Sequence, residues 1–180
     1  MASNSRKQIE EWLRTIDVSG SVLDVGGLFW PVMNRTKTWD VDRYVISDVR
    51  GGRNGVKTNF VWDFNRPLPA YDEFDHVFCI EVTDHLWNTG VAFDNLARCT
   101  KRGGHLYLSS NFLFPHHTGF DCIRLTITGL DKLLIENGFK TLSITPRMAV
   151  DHTLKEAMEK ESKVVYHPGE IGYMVVAERC

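Results

Sequence analysis

Residues 76–80, HVFCI, constrain the fold more than any other stretch of the 180-residue chain. Their near-continuous apolar character predicts a strand that is buried on both faces, without a solvent face. Such strands occur in parallel sheets whose two faces are covered by helices. The rest of the sequence therefore has to supply further strands, together with helices long enough to cover them.

Three segments are predicted to be helical. The first covers residues 5–16, where Ile9, Trp12, Leu13 and Ile16 form one apolar stripe behind a Ser5 N-cap. The second runs from Asn88 to about Lys101 and is expected to end at Gly103 and Gly104. The third begins at a Thr128 cap and ends at Gly138.

The other predicted strands lie at residues 21–25, 44–48, 60–63, 105–109, 140–145 and 172–177. Residues 30–42 and 50–58 lack helical periodicity, so loops or single turns are expected there. No clear crossover helix joins the last two strands, which favours antiparallel pairing between them. A charged, helical insertion over residues 150–168 is expected to separate them, within one domain over residues 1–180.

The composition restricts the classes of partner that the protein is expected to bind. The formal charge of −2 gives no general attraction to nucleic acid or acidic membranes, although a local basic patch remains compatible with it. The four cysteines form no C-x-x-C pair, and the sequence predicts neither a leader nor a membrane-spanning apolar run. Reduced thiols in the cytoplasm, with no membrane association, are the resulting expectation.

Acidic residues end or immediately follow four successive predicted strands, at Asp24, Asp48, Asp63 and Glu81. Ligands of open α/β sheets bind at these carboxyl ends. A carboxylate such as Asp48 can accept both hydroxyls of a ribose, and Asp63 can accept an adenine amine. Gly26 allows a ligand to approach the backbone, while Asp24 can fix the loop or hold an amino group.

These segments resemble the class I S-adenosylmethionine-dependent methyltransferases over nearly the whole chain. The matching pieces are VLDVGG, YVISD, VWDFN, FDHVFCIEVTDHL, LARCTKRGGHLYLS and TGLDKLLIENGF. The resemblance implies an α/β, doubly wound, Rossmann-like sheet of seven strands, mostly parallel with an antiparallel last strand. It also implies S-adenosylmethionine as the cofactor.

Several residue roles follow from the resemblance. Asp24, Gly26 and Gly27 would border the methionine part of the cofactor, Asp48 the ribose, and Asp63 with Phe64 the adenine. The family usually shows Asp-x-Gly-x-Gly-x-Gly, but here Leu28 and Trp30 replace the later glycines. S-adenosylmethionine has no pyrophosphate that must lie on backbone amides, so these side chains are tolerable. The missing G-x-G-x-x-G argues against an NAD-type dehydrogenase.

Glu81 and His85 are four residues apart just after the buried strand. If a helix begins there, both side chains point the same way. Glu81 could then lie near the cationic sulfonium or the incoming nucleophile as a catalytic group. The alternative is that His85 packs against the cofactor loop and caps backbone groups.

Residues 111–124 follow the next strand and carry a Pro-x-His…Asp-x-x-Arg-x-Thr pattern, which resembles a segment of many small-molecule methyltransferases. His116 or His117 could act as a general base, because histidine titrates near neutral pH. Asp121 and Arg124 could pair and fix the loop, or bind substrate. A metal site built from His116, His117 and Asp121 can be drawn, but no metal is expected.

The acceptor is expected to be a small molecule methylated on oxygen or nitrogen. The Asn/Asp-Pro-Pro-aromatic motif of amino-methylating DNA enzymes and the Pro-Cys pair of cytosine-C5 enzymes are both absent, so no nucleic-acid substrate is expected. Two alternatives remain open: a non-catalytic binding or scaffold protein of the same fold, and an aminopropyl transferase. The insertion over residues 150–168 could cover the acceptor, join a homodimer, or form a solvated surface helix.

Overall fold

The structure is a computed structural model that describes residues 4–53, 55–69, 72–113, 119–149 and 170–180. The described chain forms nine strands: β1 Asp17–Val25, β2 Thr38–Asp48, β3 Gly52–Arg53, β4 Val56–Lys57, β5 Phe60–Val61, β6 Phe74–Cys79, β7 Thr100–Asn111, β8 Phe139–Met148 and β9 Glu170–Arg179. The α-helices are α1 Asn4–Leu13, α2 Thr89–Cys99 and α3 Ile127–Glu136, with a 3-10 turn at Thr83–His85.

Seven strands form one sheet in the order β5-β2-β1-β6-β7-β9-β8, and β3 pairs with β4 in a separate hairpin. The first five of these strands are parallel to one another. Strand β9 runs antiparallel to both of its neighbours, β7 and β8. The predicted Rossmann-like sheet, mostly parallel with an antiparallel last strand, is confirmed.

Helices cover both faces of the central strands. Val77 is fully buried on the face that carries α2 and α3, where Phe93 and Leu130 join it in one apolar cluster. Its neighbour Phe78 is fully buried on the other face, against Leu13 of α1. Consecutive strand residues point to opposite faces, so the apolar run at residues 76–80 reflects burial on both sides, as predicted.

The predicted helix ends needed three corrections. Helix α1 stops at Leu13, because Thr15 and Ile16 donate to carbonyls only three residues back, at 2.9 and 3.0 Å. Helix α2 stops at Cys99, before the two glycines, since Thr100 already starts β7. The N-cap of α3 is Thr126 and not Thr128: the Thr126 hydroxyl accepts from the Gly129 amide at 3.1 Å.

Other parts of the helix and loop predictions are confirmed. Gly138 follows α3 with a φ of 75°, the left-handed conformation that ends helices. Residues 30–37 and 49–58 contain no helix in the described chain, but β2 extends back to Thr38 and residues 52–57 carry the β3–β4 hairpin. No helix in the described ranges is long and apolar enough to cross a membrane.

Candidate active site

The carboxyl ends of β1, β2, β5 and β6 lie side by side. Val25 is level with Ser47 of β2 and with Cys79 of β6, and Asp48 is level with Val61 of β5. The acidic residues that end or follow these strands therefore share one border of the sheet, which we call the carboxyl edge.

Asp24 determines the shape of the loop after β1. Its carboxylate is 2% exposed and accepts hydrogen bonds from the Val32 amide at 2.7 Å and the Tyr44 hydroxyl at 2.6 Å. The loop folds back so tightly that a Cβ on Gly27 would lie 2.3 Å from the Asp24 carboxylate. Of the two roles predicted for Asp24, the structure therefore shows the first, fixing the loop.

Burial also changes the acidity of this pair. Desolvation raises the pKa of Asp24 to about 6, against the lowering effect of its bonds to Tyr44 and Val32. Burial and the adjacent carboxylate both raise the pKa of Tyr44, which stays protonated and donates. The adjoining Gly26 has a φ of 75°, and its amide donates to the Ser47 carbonyl at 2.7 Å, which ties the loop to β2.

Asp48 and Asp63 are both at the carboxyl edge and partly exposed. Oδ1 of Asp48 accepts from the Arg50 amide at 3.1 Å, and Oδ2 has no protein hydrogen bond within the described ranges. Oδ1 of Asp63 accepts from the amide and the side chain of Asn65, at 3.0 and 2.9 Å. Each carboxylate therefore keeps one oxygen without a hydrogen bond from the described residues, and Oδ2 of Asp63 lies 4.0 Å from Nε of Arg66.

Phe64 does not join these carboxylates. Its side chain is 3% exposed and belongs to the apolar cluster beneath α2. Its carbonyl oxygen accepts from the Asn95 amide group at 3.0 Å. The structure thus places the side chain of Phe64 in the core, and the predicted adenine contact stays a prediction.

Glu81 pairs with an arginine that the sequence did not indicate. Nη1 of Arg147 donates to Glu81 at 2.6 Å and to Asn111 at 3.0 Å, and Nη2 donates to the Ser5 hydroxyl. The Arg147 side chain is 1% exposed, whereas that of Glu81 is 28% exposed. Ser109 also binds Glu81, by donating to its carboxylate at 3.0 Å and accepting from its amide at 2.8 Å. The Glu81 carboxylate is therefore neutralised by a cation inside the protein.

Glu81 and His85 do not lie on one helical face, so that prediction is wrong. A 3-10 turn covers Thr83–His85, and α2 begins only at Thr89. Asn65 binds both the amide and the side chain of Asn88, at 3.0 and 3.2 Å, and so fixes where α2 begins. The His85 ring contacts the Phe120 carbonyl at 2.7 Å, a backbone contact of the kind that the alternative interpretation predicted.

The segment before α3 docks on this turn. Asp121 and Arg124 form the predicted pair through two contacts, one of them 2.6 Å between Nη2 and Oδ2. The Cys122 and Ile123 amides donate to the Asp84 carbonyl at 2.8 and 3.2 Å. His116, His117 and the insertion over residues 150–168 lie outside the described residues. The described residues contain no cluster of three or more possible metal ligands.

Comparison with known proteins agrees with this geometry. Residues 32–108 match the model of the methyltransferase domain family. An S-adenosylmethionine-dependent methyltransferase from Mesorhizobium loti is 14% identical with a TM-score of 0.67, over 97% of this chain and 98% of that one. No curated protein sequence matches the chain.

Two further solved structures have named activities. The N-methyltransferase NodS from Bradyrhizobium japonicum is 13% identical with a TM-score of 0.61, over 97% of this chain and 96% of that one. Geranyl diphosphate C-methyltransferase from Streptomyces coelicolor, solved with S-adenosyl-L-homocysteine, is 12% identical with a TM-score of 0.64, over 97% of this chain and 79% of that one. Residues 32–108 therefore match the methyltransferase domain family, and the chain shares its fold with methyltransferases whose cofactor is S-adenosylmethionine.

The residues at the carboxyl edge fit this cofactor. The accessible Asp48 offers acceptor oxygens, which suit the two hydroxyls of a ribose. Val82 and the Asp24 carboxylate each lie 2.3 Å from where a Cβ of Gly26 or Gly27 would be, and an open cleft of about 430 Å³ adjoins Leu28 and Phe29. That volume lies within the usual range for small-molecule sites.

Proposed function

We infer that the protein transfers the methyl group of S-adenosylmethionine to an oxygen or nitrogen atom of a small-molecule acceptor. The accessible carboxylate of Asp48, next to a glycine loop held by Asp24, is the observation that carries this proposal. The bound cofactor supplies an electrophilic methyl group on a sulfonium. The protein's task is then to hold the nucleophile in line with that group and to exclude water.

Each residue at the edge has a separate part in this proposal. Asp48 accepts from the ribose, the backbone of Gly26 and Gly27 borders the methionine part, and Asp63 accepts from the adenine amine. Glu81 and His85 border the site from the β6 side. Because Arg147 already neutralises Glu81, we assign Glu81 to positioning and not to proton transfer.

We assign binding of the methyl acceptor to the segment before α3. The Asp121–Arg124 pair fixes the end of this segment against the turn at Thr83–His85, so the segment borders the carboxyl edge. We also propose that Asp121 and Arg124 contact the acceptor. We propose His116 or His117 as the base for acceptors that arrive protonated, because histidine titrates near neutral pH.

The low charge and the absence of motifs typical of nucleic-acid methyltransferases support a small-molecule acceptor. All four cysteines are free thiols, which supports the proposed cytoplasmic location. A homodimer joined through residues 150–168 remains a proposal.

Replacing Asp48 by Ala tests the cofactor site. The variant loses hydrogen bonds to a charged acceptor, each of which contributes about 1.5–3 kcal/mol, so the affinity for S-adenosylhomocysteine should fall at least about tenfold. The affinity is measured by isothermal titration calorimetry. Asp42→Ala is a matched control, because it removes an exposed carboxylate from the same strand, six residues before the edge.

Unchanged affinity in a folded Asp48→Ala protein would remove Asp48 from the site. The proposed base is tested separately, once an acceptor is known. His116→Ala or His117→Ala should lower the turnover rate more than the cofactor affinity. Full activity in both variants would leave that segment without a role in proton transfer.

A further inference from the structure

The connection between β2 and β5 carries a local positive charge that the overall charge conceals. Residues 49–58 contain Arg50, Arg53 and Lys57 and no acidic residue, in a chain with a formal charge of −2. The β3–β4 hairpin holds most of this segment, with Arg53 level with Val56. The Arg50 amide donates to Asp48 at 3.1 Å, so the hairpin starts at the proposed cofactor site.

Arg50 and Arg53 differ in their contacts from three other arginines of the described chain. Arg35, Arg124 and Arg147 each bind a carboxylate. Arg50 and Arg53 lie instead over the ring of Phe29, with guanidinium carbons 5.3 and 4.0 Å from the ring centroid, and neither has a carboxylate partner in the described ranges. A cation–π contact at an exposed site is weak and uses no hydrogen-bond acceptor. The charge and N–H donors of both side chains therefore remain available.

Arg53 lines an open cleft whose other lining residues have apolar side chains. The cleft has a volume of about 430 Å³ and is lined by Leu28, Phe29, Trp30, Arg53 and Val56. Phe29 and Trp30 are 41% and 67% exposed and, together with Met33 at 44%, present apolar surface on the loop after β1. An apolar pocket with one cation at its wall suits a ligand that has an apolar body and one anionic group.

We propose that Phe29, Trp30, Arg50, Arg53 and Val56 form an oxyanion subsite for a small ligand that carries a carboxylate or phosphate on an apolar, preferably aromatic, body. Arginine suits both anions because its planar N–H groups can donate in pairs. The aromatic rings stack on the body of the ligand while the two guanidiniums bind its anionic group. In relation to the proposed function, the anionic group comes from the methyl acceptor or from the cofactor's own carboxylate.

Phenyl phosphate is the probe, and its binding is measured by isothermal titration calorimetry at fixed, low ionic strength. Arg53→Gln and Arg50→Gln should each weaken binding at least about fivefold, since each removes charge-assisted hydrogen bonds. Binding should also weaken as salt is added. Phenol, which lacks the charge, should bind the arginine variants and the wild-type protein equally. Phe29→Leu should weaken binding of phenyl phosphate more than binding of inorganic phosphate.

Lys132→Gln is the matched control, because it removes one exposed positive charge from α3, a helix outside the proposed subsite. Leu130 and Leu134 of this helix pack in the apolar cluster that also contains Phe93 of α2. Circular dichroism and thermal unfolding check that each variant is folded. Equal binding of phenyl phosphate by Arg53→Gln, Arg50→Gln and the wild-type protein would overturn the subsite. An equal loss in Lys132→Gln would overturn it as well, since the effect would then be one of total charge.

Saturating S-adenosylhomocysteine separates the two sources of the anion. Competition with phenyl phosphate would assign the subsite to the cofactor's carboxylate, and simultaneous binding would assign it to the acceptor; both results support the subsite. Binding of phenyl phosphate that depends on Arg53, in a protein that binds no S-adenosylhomocysteine, would support the subsite and contradict the proposed function. The two proposals can therefore fail independently.

Discussion

The two sides of the carboxyl edge hold their acidic side chains by different kinds of partner. On the β1–β2 side, Asp24 is 2% exposed and is held by two neutral donors, the Val32 amide and the Tyr44 hydroxyl. On the β6–β7 side, Glu81 is held by the guanidinium of Arg147 at 2.6 Å. The first carboxylate has no bonded cation, and burial raises its pKa to about 6, whereas the second lies in an ion pair.

This difference shows how the same feature, an acidic residue at a strand end, serves two purposes. Asp24 organises a loop, and its charge is tolerated only through hydrogen bonds. Glu81 belongs to a network that joins β6, β7 and β8 to Ser5 of α1. The contribution of Asp24 to stability should therefore depend on pH. The contribution of the Glu81–Arg147 network should be lost when one of its members is replaced.

The largest effect on the free energy of unfolding is expected when Arg147 is replaced by Met. This change retains an unbranched apolar chain of similar shape and removes the cation. Glu81 is left without its cation, and Asn111 and Ser5 lose a donor. Removing one partner of a buried pair costs about 3–5 kcal/mol, and the partial exposure of Glu81 favours the low end of that range. Urea unfolding at neutral pH measures the change in the free energy of unfolding.

Two further variants check this interpretation. Arg147→Met combined with Glu81→Gln should recover part of the loss, because the uncompensated charge is then gone. Arg43→Met is the matched control, since its pair with Asp72 is exposed on both sides and should contribute less than about 1 kcal/mol. Equal costs for Arg147→Met and Arg43→Met would mean that the buried network adds no stability.

The next effect concerns pH on the Asp24 side. A carboxyl whose pKa is raised on folding gives stability that is present below its unfolded pKa and is lost as the pH rises through the folded pKa. Because the pKa of Asp24 rises from its ordinary value of 3.8 to about 6 on folding, the loss of stability reaches about 3 kcal/mol. Asp24→Asn should remove this pH-dependent contribution to stability. The difference in unfolding free energy, wild type minus variant, should therefore fall between about pH 4 and pH 6.

Other carboxylates act in the opposite direction, so only the difference between the two proteins is informative. Hydrogen bonds from Ser21 and Lys101 hold the pKa of Asp75 well below its usual range, and this contribution is lost on acidification. Asp75 is unchanged in Asp24→Asn, and its effect cancels in the subtraction. A difference curve that stays flat from pH 4 to pH 6 would contradict the raised pKa of Asp24.

The sequence predicted the parts of the fold that are set locally. The Asn88 and Gly138 helix boundaries and the antiparallel last strand were found because caps and missing crossovers leave signals within a few residues. The first residues of β2 were missed: they are mostly exposed and pair with the start of β1, where no apolar run marks a strand. The β3–β4 hairpin was missed because each of its strands has only two residues.

The candidate site was only partly predictable for the same reason. The acidic residues at strand ends follow from the sheet topology, and the Asp121–Arg124 pair from its short spacing. Arg147 lies 66 residues from Glu81, and no local pattern connects them. Phe64 was assigned with its neighbour Asp63, but the side chain of Asp63 is 37% exposed while Phe64 is 3% exposed and packs in the core. Adjacent residues in a turn need not face the same site.

The smallest effect on the free energy of unfolding is expected when Tyr44 is replaced by Phe. This change removes one of the two neutral donors that bind the Asp24 carboxylate. The Val32 amide still binds the carboxylate at 2.7 Å, and the edge contact between the Tyr44 and Trp39 rings, with centroids 5.4 Å apart, can persist. Urea unfolding at neutral pH should show a loss of about 1.5 kcal/mol, the low end of the range for a hydrogen bond to a charged group, because the Val32 amide still binds the carboxylate.

Tyr107→Phe is the matched control, because its hydroxyl contacts the His76 ring at 3.3 Å and not a carboxylate. Its cost should be smaller than that of Tyr44→Phe. The Tyr44 bond lowers the pKa of Asp24, so its loss should also move the pH-dependent range of Asp24 upward. If Tyr44→Phe costs no more than Tyr107→Phe and leaves that range unchanged, the Tyr44 hydroxyl does not support the Asp24 carboxylate, and the loop after β1 is held by the Val32 amide alone.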